Sequence, residues 1–340
     1  MRKAKPRLAR SREQILDEGE QSFYEGNYEV ALGRFEEVIA LESDDAEAHY
    51  LRARSLFYVG RDEEAEEAYD RALDLAPDFA PALIHKAELF VRAFGWCDDA
   101  LDLLDEAESF TLHRDDKIEA SFVRGLAQLE RAEYRLALEP LNRAVRGDAE
   151  WSEALRERGI CRFYLWRFED AVRDLERAAA RDPGDAEAHY LLAMALERLG
   201  RDAAATRAYE KAATIDPHSF HSPLRTSKDD FERIVSHALE DLPEDFRVRF
   251  DHLKVVVEPL PERELGVAPD AFGCSMPASG DDASVHAMLR PCVVVMFQRN
   301  LERACADPRS LRDEIAKTVL HEVGRYFGLG DDDVVHFSVH

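Results

Sequence analysis

The sequence predicts an all-α superhelical repeat solenoid over residues 12–219, then a small α+β domain over residues 227–340. Three observations carry this. A 34-residue block recurs: residues 45–78 (DAEAHYLRARSLFYVGRDEEAEEAYDRALDLAPD) align without a gap on residues 185–218 (DAEAHYLLAMALERLGRDAAATRAYEKAATIDPH). The helical pattern breaks at residues 218–223 (HSFHSP). Beyond the break, short β-branched runs bounded by proline alternate with amphipathic helices, the pattern of a sheet packed on helices.

The chain has 340 residues and a formal net charge of -25. That length suits two or more domains. So acidic a balance argues against a general nucleic-acid binder, because affinity there comes from neutralising phosphates. No apolar run is long enough for a membrane helix, and the N-terminus lacks the apolar core of a signal peptide. Cys97, Cys161, Cys274, Cys292 and Cys305 are scattered without metal or redox spacing. The expectation is a reduced, cytoplasmic protein. Residues 1–11 are basic and contain no acid, which reads as a solvated, disordered tail.

Each repeat reads as two amphipathic helices joined by a turn, at Gly60 or Gly200, with Pro77 or Pro217 closing the second helix. Small residues recur where first helices cross their neighbours: Gly19, Ala53, Ala87, Gly125, Gly159 and Ala193. A second small set, Ala31, Ala65, Ala100, Ala137, Ala171 and Ala205, is followed by knobs at Phe35, Tyr69, Leu104, Leu141, Leu175 and Tyr209. The third repeat carries one extra residue near Phe94 to Cys97. Trp96 and Trp166 fall at turns between paired helices and read as packing plugs, or, where exposed, as a contact surface. This pattern resembles six tetratricopeptide repeats. The resemblance implies a solenoid whose first helices line a concave groove for a protein or peptide partner. Candidate groove residues are Tyr50, Arg54, Phe57, Ile84, Glu88, Phe122, Leu126, Arg156, Tyr164, Tyr190 and Met194.

Residues 220–226 read as a linker. A helix is expected over residues 228–242, capped by Ser227 with Asp230, with Phe231, Ile234, Val235, Ala238 and Leu239 on its apolar side. Strands are expected over residues 253–259 and 292–298, with at most a short strand near Phe272 to Cys274. A short helix over residues 300–306 precedes a long one that starts at Pro308 and runs into TVLHEVGRYFGLG, residues 318–330.

That last stretch holds the chemistry. His321-Glu322 opens the zinc-peptidase pattern H-E-x-x-H, in which two histidines one turn apart bind one ion and the glutamate is general base to a metal-bound water. Arg325 stands where the second histidine belongs, and a guanidinium has no lone pair for zinc. Gly328 would end the helix and bring Asp331 back toward the site. With residues 241–258 (DLPEDFRVRFDHLKVVVE) and the strand before Arg299, this resembles the minimal zincin-like family of bacterial metallopeptidases. The resemblance implies His321 and Asp331 as zinc ligands and Glu322 as catalytic base, with Gly324 and Gly328 matching the motif. His286, His336 and His340 are replacement ligands on paper. Two functions stay open: a repeat adaptor with a degenerate metal site, and a zinc-dependent peptidase whose repeats recruit protein substrates.

Overall fold

The structure is a computed structural model and describes residues 10–242, 244, 253–277 and 292–327. Six antiparallel helix pairs occupy the N-terminal part. They are α1 (Arg12–Tyr24) with α2 (Tyr28–Leu41), α3 (Ala46–Val59) with α4 (Asp62–Leu75), and α5 (Ala80–Leu89) with α6 (Cys97–Ser109). Then follow α7 (Arg114–Glu130) with α8 (Tyr134–Gly147), α9 (Ser152–Tyr164) with α10 (Phe168–Arg181), and α11 (Ala186–Arg198) with α12 (Asp202–Ile215).

Local sequence explains the start of these helices. Ser11 and Gln14 form a reciprocal capping box on α1. Asp45 and Asp185, equivalent in the two aligned blocks, accept from the backbone N–H groups of Ala48 and Ala188 at 3.1 and 2.9 Å. The turn inside each pair contains one residue in the left-handed region: Gly26, Gly60, Gly95, Ala132, Trp166 and Gly200. Glycine occupies four of the six, as the missing Cβ favours.

The small residues do what their spacing predicts. Ala31, Ala65, Ala100, Ala137, Ala171 and Ala205 are buried, as are the six knobs. A Cβ on Gly19 would lie 2.6 Å from Phe35 Cε1, and one on Gly125 would lie 2.6 Å from Leu141 Cγ. The extra residue of the third repeat is taken up within a helix. After α5 the backbone widens into a π turn over Phe90–Phe94, which ends at Gly95 with its N–H on the Phe90 carbonyl.

The chain divides into two compact units, with the division between Cys161 and Arg162. The sixth helix pair therefore belongs to the same unit as the α+β region. The pattern break at residues 218–223 is a change of secondary structure inside that unit.

In the second unit, α13 (Lys228–Glu240) is capped by Ser227, whose hydroxyl accepts from Asp230 N–H at 3.1 Å. Strands β1 (Lys254–Glu258), β2 (Gly273–Pro277) and β3 (Cys292–Phe297) form a sheet of order β1-β3-β2. β1 pairs with β3 in parallel, Val256 opposite Val295; β2 pairs antiparallel, Cys274 opposite Val295. The strand expected near Phe272 thus extends three residues further than Cys274. Two helices follow, α14 (Gln298–Ala304) and α15 (Pro308–Phe327). Alternation along β3 separates two cores. Val294 and Met296 pack with Phe231, Val235, Leu311, Ile315, Val319 and Val323 of α13 and α15. Val295 and Phe297 face the other way, with Cys274, and are covered by Leu265, Val267 and Ala271.

Candidate functional site

Helix α15 lies against β2 and aligns Thr318, His321, Glu322 and Arg325 along one wall of a cleft of about 850 Å³. Gly273 permits the close approach: a Cβ there would sit 2.9 Å from the Val295 carbonyl and 3.1 Å from Thr318 Cγ2. The opposite wall is Cys274, Ser275 and Met276 with the loop from Glu264 to Ala271.

His321, Glu322 and Arg325 are brought together as their spacing predicts. His321 is exposed. The Glu322 carboxylate is buried and doubly engaged. The Ser275 hydroxyl donates to Oε2 at 3.0 Å, and Arg325 Nη2 lies 3.3 Å from the same oxygen. Sequence reading missed Ser275, because nothing local marks a serine that meets a carboxylate across a strand–helix contact. Cys274 lies beside them. Burial, then the Glu322 charge, push its thiol pKa up, against the opposing effect of Arg325.

This donor set does not fit a zinc ion. One turn from His321 stands a guanidinium with donors only, and it pairs with the carboxylate that would serve as base. Among the described residues no cluster of three His, Cys, Asp or Glu is placed to hold a metal. Asp331, Gly328, His286, His336 and His340 lie outside the described residues.

The candidate groove residues fall into two groups. Tyr50, Ile84, Phe122, Leu126 and Met194 are buried. Arg54, Phe57, Glu88, Arg156, Tyr164 and Tyr190 are half-buried. In the first unit, the Arg54 guanidinium lies over the Phe23 ring at 4.7 Å. Glu88 accepts from Arg92 at 2.8 Å, and Arg92 continues to Glu153 at 2.7 Å. Arg156 pairs with Glu157 at 2.8 Å. His85, not among the candidate groove residues, lies with Nδ1 3.2 Å from the Tyr50 hydroxyl.

In the second unit, Tyr190 packs on Tyr209 and Phe220 at 5.4 and 4.9 Å between centroids. The Tyr164 hydroxyl donates to Asp270 at 2.7 Å. A buried charge network joins α11 to the α+β region. Glu197 receives Arg225 at 2.5 Å and the Tyr209 hydroxyl at 3.1 Å, with Arg299 and Arg303 each at 4.0 Å. Glu302, equally buried, accepts from the Thr226 N–H and hydroxyl and from the Gln298 amide.

Comparison with known proteins agrees with this architecture. A tetratricopeptide-repeat family model matches residues 16–79 and 156–220, and a zincin-like metallopeptidase family model matches residues 250–338. The chain is a tetratricopeptide-repeat array fused to a zincin-like metallopeptidase-family domain. The chain is similar to the human mitochondrial import receptor subunit TOM70, 29% identical over 127 residues, which is 36% of this chain and 20% of the receptor. The chain thus spans about a fifth of that relative's length. Among solved structures, the type IV pilus biogenesis factor PilW is 16% identical with a TM-score of 0.54, over 62% of this chain and 96% of PilW. The APC/C hetero-tetramer Cut9-Hcn1 is 14% identical with a TM-score of 0.56, over 61% of this chain and 40% of that one. At these identities the likeness establishes the repeat fold. No helix among the described residues is long and apolar enough to cross a membrane.

Proposed function

We propose that this protein is an adaptor: its tetratricopeptide array captures protein segments, and its zincin-like domain is a docking unit that has given up hydrolysis. The observation that carries the reading is the Arg325–Glu322 ion pair inside the cleft. The pair places a permanent positive charge one turn from His321, where the family motif needs a neutral imidazole. It also ties up the carboxylate that would accept a proton from water. A protein segment is the expected partner because helix-pair arrays present extended surfaces to peptides.

Zinc content tests this. By atomic emission, the purified protein is expected to hold clearly less than one zinc per chain, and Arg325→His is expected to raise it. The substitution supplies a lone pair on the face that carries His321 and removes the charge. Stoichiometric zinc in the native protein, lost in His321→Ala, would overturn the adaptor reading and establish the peptidase. No zinc in either protein would mean that the domain has lost further ligands, and the adaptor reading would stand.

A further inference from the structure

The loop over residues 259–272 walls the cleft and covers Cys274, and the repeats grip it. Its own domain fixes both ends. The Pro259 carbonyl accepts from Arg299 N–H at 3.0 Å, and the Asn300 amide donates to the Pro269 and Ala271 carbonyls at 3.1 and 2.6 Å. Two further bonds come from first helices of the repeat array. Arg198, at the end of α11, donates through Nη2 to the Pro261 carbonyl at 2.6 Å. Tyr164, at the end of α9, donates to the Asp270 carboxylate at 2.7 Å.

Both donors are built for the task. The Arg198 guanidinium lies over the Trp166 and Phe168 rings at 4.8 and 4.9 Å, an arrangement that fixes its plane. Among the described residues its Nε and Nη1 are buried without hydrogen-bond partners, and Nη2 donates to the Pro261 carbonyl. Tyr164 is one of the residues that sequence assigned to the ligand groove.

We infer that the C-terminal ends of the first helices of the fifth and sixth repeats, at Tyr164 and Arg198, form a docking surface whose occupant is the chain's own proline-bracketed loop, residues 259–271, and that Tyr164 and Arg198 are positioning residues for the cleft. The chemistry of the occupant defines what this face accepts: an extended segment offering a backbone carbonyl to a guanidinium and, nine residues on, a carboxylate to a phenol. Through Leu265, Val267 and Ala271 the docked loop seals Cys274, which is 3% exposed. The inference stands whether or not the domain hydrolyses anything, because neither the Tyr164–Asp270 nor the Arg198–Pro261 contact involves Glu322.

Iodoacetamide labelling of the full-length protein, followed residue by residue by mass spectrometry, tests it. Losing one net hydrogen bond changes a local opening equilibrium roughly five-fold. Tyr164→Phe and Asp270→Ala should each raise the Cys274 labelling rate by about that factor, and Tyr164→Phe with Arg198→Met by about 25-fold. Asp270→Asn keeps an acceptor for the phenol and should stay within about two-fold of native. Buried Cys161 and Cys305 should keep their native rates. Amide exchange over residues 259–272 should rise in step. An unchanged Cys274 rate in the double variant would overturn the inference, as would equal increases at Cys305, which would report loss of the domain fold.

Discussion

Glu197→Ala should uncouple the sixth repeat from the zincin-like domain. The Glu197 side chain is 2% exposed and faces Arg225 at 2.5 Å and Arg299 and Arg303 at 4.0 Å. At an effective dielectric near 20, a pair at 4 Å is worth about 4 kcal/mol before desolvation is subtracted. Most of that gain offsets the burial of the charges, so the network adds little net stability; removing its centre takes the carboxylate away from buried Arg303, which keeps Asn300 Oδ1 at 2.9 Å. The expected loss is about 3–5 kcal/mol, as for other broken buried pairs. Glu197→Gln keeps an acceptor for the Tyr209 hydroxyl and should cost less, about 2 kcal/mol. Arg225 is 35% exposed, so Arg225→Ala should cost about 1 kcal/mol. Urea titration with amide exchange read separately in α11 and α14, and in α3 and α7, resolves the effect by unit. Protection should fall in the unit beginning at Arg162 and hold in the other. A loss under about 1 kcal/mol for Glu197→Ala, or equal losses in both units, would refute the assignment of Glu197 as the centre of the junction.

Acid should weaken the first unit through His85. Burial, then the Arg54 charge, hold its pKa down at about 3 against the ordinary 6.5, while Nδ1–H donates to the Pro81 carbonyl at 2.8 Å and Glu119 lies 3.6 Å from Nε2. The unfolded chain therefore binds the extra proton between those values, so this contribution is complete above pH 6.5 and is lost toward pH 3. His85→Gln should flatten that slope in thermal melts recorded across the range. Two glycine substitutions should act in opposite senses in chemical denaturation. Gly33→Ala fills open space on α2 and should stabilise by about 0.5–1 kcal/mol; Gly125→Ala drives a methyl onto Leu141 and should destabilise by about 1 kcal/mol. Ala132 has φ of 55° where four other pairs use glycine, so Ala132→Gly should raise stability by about 0.5–1 kcal/mol in the same assay.

Much of this architecture is legible in the chain because it is local or periodic. The 34-residue period places Ala65 and Tyr69 in the core of one pair and Ala205 and Tyr209 in the core of another, since each contact recurs with the repeat. The Ser227 cap, Pro308 and the valine-rich runs announce α13, α15, β1 and β3. His321, Glu322 and Arg325 meet because a helix brings residues three and four apart together. What sequence does not announce are contacts with no period and no neighbour: Ser275 with Glu322, Tyr164 with Asp270, Glu197 with Arg225 and Arg303. The sequence does not single out Glu197, one residue before the end of α11. Its burial depends on arginines that arrive after the pattern break.

The π turn at Phe90–Phe94 has a consequence for how such arrays change length. A residue inserted into a regular helix turns every later side chain about 100° around the axis, because 3.6 residues make a turn. Ala100 and Leu104 would then leave the core, and each later repeat would inherit the error. A single wide turn confines the error instead, much as a leap day keeps the calendar aligned with the seasons. Ala100 and Leu104 remain fully buried 35 residues after Ala65 and Tyr69. In this array an extra residue at a helix end is a local matter, confined to one wide turn of the third repeat.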